Sequence, residues 1–354
     1  MINFLTEEHQ LIAESAREVF TDLADADTEQ RQAARGRIAG AVVGRALADL
    51  GLFGSGVDSS MSAAQIQVLV AREAGAACLP YPTLEMLVIQ SLVAGSGELR
   101  AAGFPGADET GTLASTHSTS CNLQNGRLKG TVPLVSFLGM AAAVLVAAWR
   151  GDDEVLVCAT PGTHAVTGKP RATVEPDYPL HDLAFDGAAA GLVLDHLDSG
   201  ADAASFLRLR TSLLAAAEIS GACRHLVRMT RDYLLARSQF GQVLGSNQAL
   251  KHALADSHVR VEAMTAAIDY AAAACDAGAP DAEAAVAAAK HFSGRAGKAI
   301  ADSMLQLHGA IGYTMGFPLQ LFMRRVYRLS VSHGSSQAQS ERLYEIFRAE
   351  GSGA

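Results

Sequence analysis

Charge is scarce in this chain of 354 residues. Only 18% are Asp, Glu, Lys or Arg, while 49% are hydrophobic, a balance that excludes intrinsic disorder and leaves ample material for a large core or several domains. Aromatic residues are few as well, 6% of the chain with a single Trp. Basic residues are outnumbered, 28 Lys and Arg against 37 Asp and Glu for a net charge of −9. With no run of five basic residues, this disfavours nucleic acid or an anionic membrane as a partner. The five cysteines (Cys78, Cys121, Cys158, Cys223 and Cys275) are odd in number and form no CxxC. Neither a disulfide framework nor a zinc site is signalled, and a reducing cytosol is the expected setting. The histidines include no HExxH, and His252 and His258 lie six apart, on different faces of a helix, so they read as surface or packing residues and no metal is expected. The longest apolar run, Gly139 to Trp149, is too short to cross a bilayer. The opening MINFLTEEHQ is acidic and polar rather than basic and then apolar, so it does not read as a signal peptide. No P-loop, no GxGxxG after a strand and no fixed-period repeat is found.

What the chain has in quantity is alanine, and its apolar residues show two different periods. From Thr6 to about Leu99 they recur at helical spacing, as in HQLIAESAREVF and SAAQIQVLVAREAGAACL, with breaks at Gly51–Gly56 and at Leu79-Pro80-Tyr81-Pro82. After the Gly/Pro-rich stretch Gly95–Gly106 come short apolar runs separated by turn residues, with Asn125-Gly126 as a strong hairpin signal. From Ser205 the helical period returns, over roughly 205–238, 247–276 and 281–309, after Pro318, and near 337–349. The expectation is an α+β protein: an N-terminal helical domain over 1–103, an antiparallel β-barrel or sandwich domain over 104–200, and an antiparallel helical bundle over 201–354.

One stretch carries chemistry. Tyr233-Leu-Leu-Ala-Arg237-Ser-Gln239-Phe240-Gly241 ends a helix in a cation and an aromatic residue, turns, and restarts with Gln248 in the first turn of the next helix. Arginine and amide side chains beside a helix N-terminus are suited to a pyrophosphate, because charge-assisted bonds and the helix dipole act together. The same pattern also fits an arginine at a helix C-terminus with Phe240 stapling two helices together.

This stretch resembles the acyl-CoA dehydrogenase family signature YxxxRxxFGxxxxxxQ. Gln306-Leu-His308-Gly309-Ala310-Ile-Gly312-Tyr313 resembles the family's second signature, QxxGGxGY. The order of domains agrees, and the resemblance covers essentially the whole chain. It implies a flavoprotein that removes an α-proton from an acyl-CoA thioester and passes the β-hydrogen as hydride to FAD, with an electron-transferring flavoprotein as the expected acceptor. It further implies that Arg237, Gln239, Phe240, Gln248, Gln306 and Gly309 grip the FAD of a neighbouring subunit. Ala310 stands for the second Gly of a GG pair, and Ser335 and Gln337 match loop positions that follow.

Other family positions are altered. The TEPxAGSD loop corresponds to Thr112–Cys121, which lacks the acidic-proline-glycine run, and the aromatic-Ile-Thr/Ser motif that lies against the isoalloxazine reads Leu134-Val135-Ser136. Both places where the family puts its catalytic glutamate lack a carboxylate. One holds His333 in Ser332-His333-Gly334-Ser335, and the other falls at Thr211, followed by Ser212 where an arginine is common. An upstream Arg-Asp pair reads Arg324-Arg325. Glu218 lies on the same helix as Thr211 and reads as a polar residue of the bundle. The pattern resembles the base-lacking subunit of paired α2β2 acyl-CoA dehydrogenases of actinobacterial steroid and lipid catabolism, in which a paralogous chain supplies the glutamate. Two alternatives stay open. One is a homo-oligomeric FAD enzyme with His333 as its base. The other is a flavin-free scaffold or hydratase-like relative that binds an acyl thioester.

Overall fold

The computed structural model describes residues 7–25, 45, 48–49, 63–102, 110–114, 120–162, 164–239 and 241–352. Phe240, all of residues 51–62, including the break at Gly51–Gly56, and residues 115–119 of the altered TEPxAGSD loop lie outside the described residues. The chain divides into two compact units: residues 21–67 and 80–211 form one, and residues 1–20, 68–79 and 212–354 form the other. Three helices, α1 (Glu7–Asp25), α2 (Ala64–Ala77) and α5 (Ala203–Ala236), contribute to both. Among the described residues no helix is long and apolar enough to cross a membrane.

In the first unit, the mostly apolar run after Pro82 becomes α3 (Thr83–Ala94), buried on every side from Thr83 to Leu92. Short helix α4 (Gly97–Ala101) follows, its first backbone N–H received by the Asp198 carboxylate at 3.0 and 3.1 Å. The strands are β1 (Thr110–Ala114), β2 (Asn122–Gln124), β3 (Arg127–Ser136), β4 (Ala141–Arg150), β5 (Asp153–Ala159), β6 (Val166–Arg171), β7 (Leu180–Ala189) and β8 (Val193–Leu194). They pair in the order β6-β7-β3-β2-β4-β5-β8, with β1 against β4. Asn125-Gly126 makes the expected hairpin turn between β2 and β3, both residues at positive φ (51° and 70°). The sheet is mostly antiparallel, but β1 and β2 both run parallel to β4. The purely antiparallel expectation fails there because β1 and β4 are separated by the β2–β3 hairpin, and apolar alternation looks the same for either strand direction. The sheet's core is mostly aliphatic, built around Leu128, Val132, Val144, Val146, Val155, Val157 and Leu183, with Phe185 among them.

β3 carries a bulge. Val132 pairs with Leu183 but Val135 pairs with His181, so β3 holds one residue more than β7 over that interval. Pro133 suits it, because proline has no N–H to give to the ladder. Leu134 takes φ 61°, and Phe137 just past the strand takes φ 50°. Left-handed backbone costs a non-glycine residue roughly 1–2 kcal/mol. The bulge turns Leu134 outward, 51% exposed, and leaves Phe137 buried.

The second unit is a helical bundle. Besides α5 it holds α6 (Gln248–Asp276), α7 (Ala282–His308), α8 (Leu319–Val331) and α9 (Ser336–Ser352), close to the helices that the period predicts. Small residues set its closest crossing. A Cβ on Gly221 of α5 would lie 1.8 Å from the Arg72 carbonyl oxygen of α2, and one on Gly75 of α2 would lie 2.2 Å from the Glu218 carbonyl oxygen of α5. Charged pairs tie α2 down further: Arg72 meets Asp269 at 2.5 Å, and buried Glu73 accepts from Arg17 at 3.1 Å and from Arg224 at 2.7 Å. Burial works to raise the Glu73 carboxyl, but the two guanidinium groups overcome it and hold the carboxyl below its ordinary range. Lys290 on α7 is fully buried and donates to the Leu329 carbonyl at 2.7 Å, in the last turn of α8. Burial, and then the charge of Arg328, push its ammonium down to about 7.

Candidate functional site

Both signature stretches fall in the bundle unit, and an aromatic stack brings them together. The Tyr233 ring, one turn before the end of α5, stacks on His308 at the end of α7, with centroids 4.6 Å apart, and its hydroxyl donates to the His308 carbonyl at 3.4 Å. Phe317 closes the group, 5.0 Å from His308. His308 is buried with Nδ1 against the Met304 carbonyl at 2.9 Å. Burial lowers its pKa, opposed by that hydrogen bond. A neutral ring stacked on tyrosine is therefore the packing device beneath the two turns.

On top of this stack the predicted residues are exposed. Arg237 follows α5, and its carbonyl accepts from the Leu244 N–H at 2.8 Å, which closes the turn. Gln239 lies in β9 (Ser238–Gln239) and pairs with Gln242 of β10 (Gln242–Val243) across Gly241 at φ 78°. Asn247 caps α6 by accepting from the Ala249 N–H at 2.9 Å, which places Gln248 in the first turn of that helix. Gln306 sits on the last turn of α7, and its carbonyl receives the N–H of Gly309. Gly309 has φ 63° and ψ −141°, a region open essentially to glycine alone, and nothing lies within 4 Å of where its Cβ would be. Ala310 stands beside it in a short 3-10 turn, Gly309–Tyr313. Arg237, Gln239, Gln248, Gln306, Gly309 and Ala310 all face solvent. The set fits an extended anionic cofactor: a cation, amide groups, a capped helix N-terminus and an open backbone approach.

The remaining predicted positions lie elsewhere on the bundle. His333 (φ 53°) and Gly334 (φ 89°) form the turn between α8 and α9. The Ser212 hydroxyl fixes this turn by donating to the His333 carbonyl at 2.8 Å, and Gln339 donates to Ser212 at 3.3 Å. Ser335 caps α9, its Oγ accepting from the Ala338 N–H at 3.2 Å, while the Gln337 amide donates to Glu341 at 3.0 Å. This turn lies against His291, whose Nδ1 is 2.8 Å from the Ser336 carbonyl. From His291 to Gln306 is fifteen residues of α7, about 22 Å along the axis. The predicted cofactor residues thus form two groups rather than one.

Among the described residues, the turn itself, Ser332-His333-Gly334-Ser335, holds no carboxylate. Glu218 pairs with Arg325 at 3.6 Å, both side chains 4% exposed or less, and Arg325 also donates to the Leu79 carbonyl at 2.7 Å. Glu218 is therefore held as a structural ion pair, as its sequence position suggested. At the other family position, in the first unit, the Thr211 hydroxyl donates back into its own helix, to the Leu207 carbonyl at 2.8 Å.

The sheet unit holds a cluster that motif reading missed. The Glu85 carboxyl of α3 is 1% exposed and accepts from the hydroxyls of Ser136 and Tyr178. Thr112 donates to the Ser136 carbonyl at 2.5 Å, and Tyr178 meets Phe137 edge-on, with centroids 4.6 Å apart. Ser136 ends the stretch that corresponds to the family's motif against the isoalloxazine. Here its hydroxyl is committed to Glu85, the aromatic residue is Leu134 turned to solvent, and Phe137 fills the interior. These residues do not fit a flavin ring. The available signal was Glu85 itself, the one acid in the apolar run TLEMLVIQSLVA.

Among the described residues a helical segment, a sheet and five C-terminal helices follow one another in this order. Residues 203–346 match the family described as acyl-CoA dehydrogenase, C-terminal domain. Over residues 203–346 the chain is similar in sequence to acyl-CoA dehydrogenases, and the likeness of fold extends over nearly its whole length. It is 35% identical over 126 residues to the acyl-CoA dehydrogenase IpdE2 of Mycolicibacterium smegmatis, a stretch covering 36% of this chain and 37% of that relative, little more than a third of the relative's length. Among solved structures, the Tcur3481-Tcur3483 steroid ACAD G363A variant superposes with TM-score 0.86 at 26% identity, covering 98% of this chain and 99% of that one. The ChsE4-ChsE5 complex from Mycobacterium tuberculosis gives TM-score 0.84 at 22% identity over 98% and 99% of the two chains, a likeness of fold.

Proposed function

We propose that the chain is one subunit of a heteromeric, FAD-dependent acyl-CoA dehydrogenase that desaturates an acyl-CoA thioester between Cα and Cβ. It lends Arg237, Gln239, Gln248, Gln306 and Gly309 to a flavin held mainly by a paralogous subunit, and that partner supplies the catalytic glutamate. The observation that carries this reading is a contrast within the bundle unit. The two signature turns are joined by the Tyr233–His308 stack and open to solvent, whereas the turn that would carry the base holds His333, and Glu218, on the helix that carries Ser212, is tied to Arg325.

FAD, when bound, supplies the hydride acceptor. This chain's own contribution is binding. Arg237 offers a planar donor fork to a pyrophosphate, the N-terminus of α6 adds its dipole, and Gly309 lets backbone approach a ligand without a side chain in the way. The abstraction of a weakly acidic α-proton needs a placed base, which is why a glutamate-bearing partner belongs to the proposal. Two proteins of similar fold support the pairing: the ChsE4-ChsE5 complex and the Tcur3481-Tcur3483 steroid ACAD. The test is flavin absorbance of the chain purified alone and of the chain co-expressed with its paralogue. Flavin only in the complex supports the proposal, and a yellow, catalytically active homo-oligomer overturns it.

A further inference from the structure

The sheet cluster points beyond a lost base. We propose that Glu85 is the residue that excludes flavin from this chain's own half-site, so that the complex carries flavin only where the partner provides the sheet. This rests on the reading above, and it names the device that sets which of the paired sites is filled.

The observations converge on the Ser136 hydroxyl. It is the remaining polar group of the stretch matching the isoalloxazine motif, and its hydrogen is given to the Glu85 carboxyl. The same carboxyl oxygen takes the Tyr178 hydroxyl, which arrives from the loop before β7, so a strand, a loop and a helix are pinned to one atom. Thr112 of β1 holds the Ser136 backbone from the other side. Tyr178 in turn holds the Phe137 ring inside, and Phe137 accepts a left-handed backbone to be there. Glu85, Ser136, Phe137 and Tyr178 are each 5% exposed or less, so the cluster fills its space with protein. A ring that needed the Ser136 donor would have to displace an acidic acceptor buried among hydroxyls. Glu85 is the hub: without its carboxyl, both hydroxyls lose their shared acceptor.

The experiment compares wild type, Glu85→Ala and Glu85→Gln, each co-expressed with the flavin-bearing paralogue, and measures flavin released per assembled complex. Glu85→Ala opens space and removes the acceptor that holds Ser136, so flavin content rises about twofold as the second kind of site fills. Glu85→Gln keeps an acceptor oxygen of the same reach and stays at the wild-type level. An assembled Glu85→Ala complex with wild-type flavin content overturns the proposal. If Glu85→Ala does not assemble, Glu85→Ser is read by the same two outcomes. A wild-type complex without any flavin instead refutes the heteromeric reading, so the two failures are distinguishable.

Discussion

Replacing Gly221 with alanine tests the closest contact in the bundle unit. The new Cβ would lie 1.8 Å from the Arg72 carbonyl oxygen and 3.0 Å from the Ala76 nitrogen. Carbon and oxygen pack no closer than about 3.3 Å, so α2 must withdraw by roughly 1.5 Å at this point. Two effects compete. Alanine in a helix interior is favoured over glycine by about 1 kcal/mol. Overpacking a core costs about 1–3 kcal/mol, and here the opposing atom is backbone, which cannot rotate away, so the upper end applies. Withdrawal of α2 also loosens the Arg72–Asp269 pair and the Glu73 pairs, all of which hang on the residues at the contact. The net expectation is a loss of about 2 kcal/mol, or roughly 5 °C in the midpoint of thermal unfolding for a unit of this size. The assay is circular dichroism at the helix band, with Gly351→Ala as control. That glycine lies in the last turn of α9 with nothing within 4 Å, so its substitution stays within about 0.5 kcal/mol of wild type. A Gly221→Ala protein that unfolds at or above the wild-type temperature would refute the close crossing of α2 and α5.

Lys290 makes stability depend on alkaline pH. Its folded pKa is about 7, pushed down by burial and then by Arg328, below the ordinary lysine value near 10.4. Between those values the unfolded chain holds a proton that the folded chain does not, so this group's contribution to stability rises as pH climbs through that window and is flat below it. Urea titrations of Lys290→Met at a series of alkaline pH values will show a shallower rise than wild type, and parallel curves would remove the buried amine from the account. Arg237→Ala in the assembled complex will loosen flavin. Loss of a charge-assisted hydrogen bond is worth about 1.5–3 kcal/mol, a weakening of roughly 10- to 150-fold, with Arg237→Lys in between. Unchanged flavin retention in Arg237→Ala would show that the signature turn does not hold the cofactor.

The helices of the bundle were legible because a 3.6-residue period sustained over long stretches has few rivals. The expected 247–276 is observed as Gln248–Asp276, and the expected 281–309 as Ala282–His308. The hairpin at Asn125-Gly126 was legible because those two residues tolerate positive φ at little cost. The parallel pairing of β1 with β4 was not, since strand direction is fixed by the connection and leaves no mark on alternation. At the candidate site, Arg237 could be read from the residue types around it, and Gly309 was implied by the resemblance of its stretch to the second signature. Their approach through Tyr233 and His308 joins positions 75 apart and is a tertiary fact. The Glu85 cluster was hidden for the same reason: its partners lie 51 and 93 positions away. The bulge that turns Leu134 outward was hinted at by Pro133 but depends on the register with β7.

The central claim is that this chain lends flavin-binding residues and does not carry a working flavin site of its own. The most direct measurement is the visible spectrum of the chain purified alone, set beside that of the chain co-purified with its glutamate-bearing paralogue. The account predicts no flavin absorbance for the lone chain, with flavin bands in the complex that bleach when acyl-CoA is added. A lone chain that retains flavin and bleaches with acyl-CoA would contradict it.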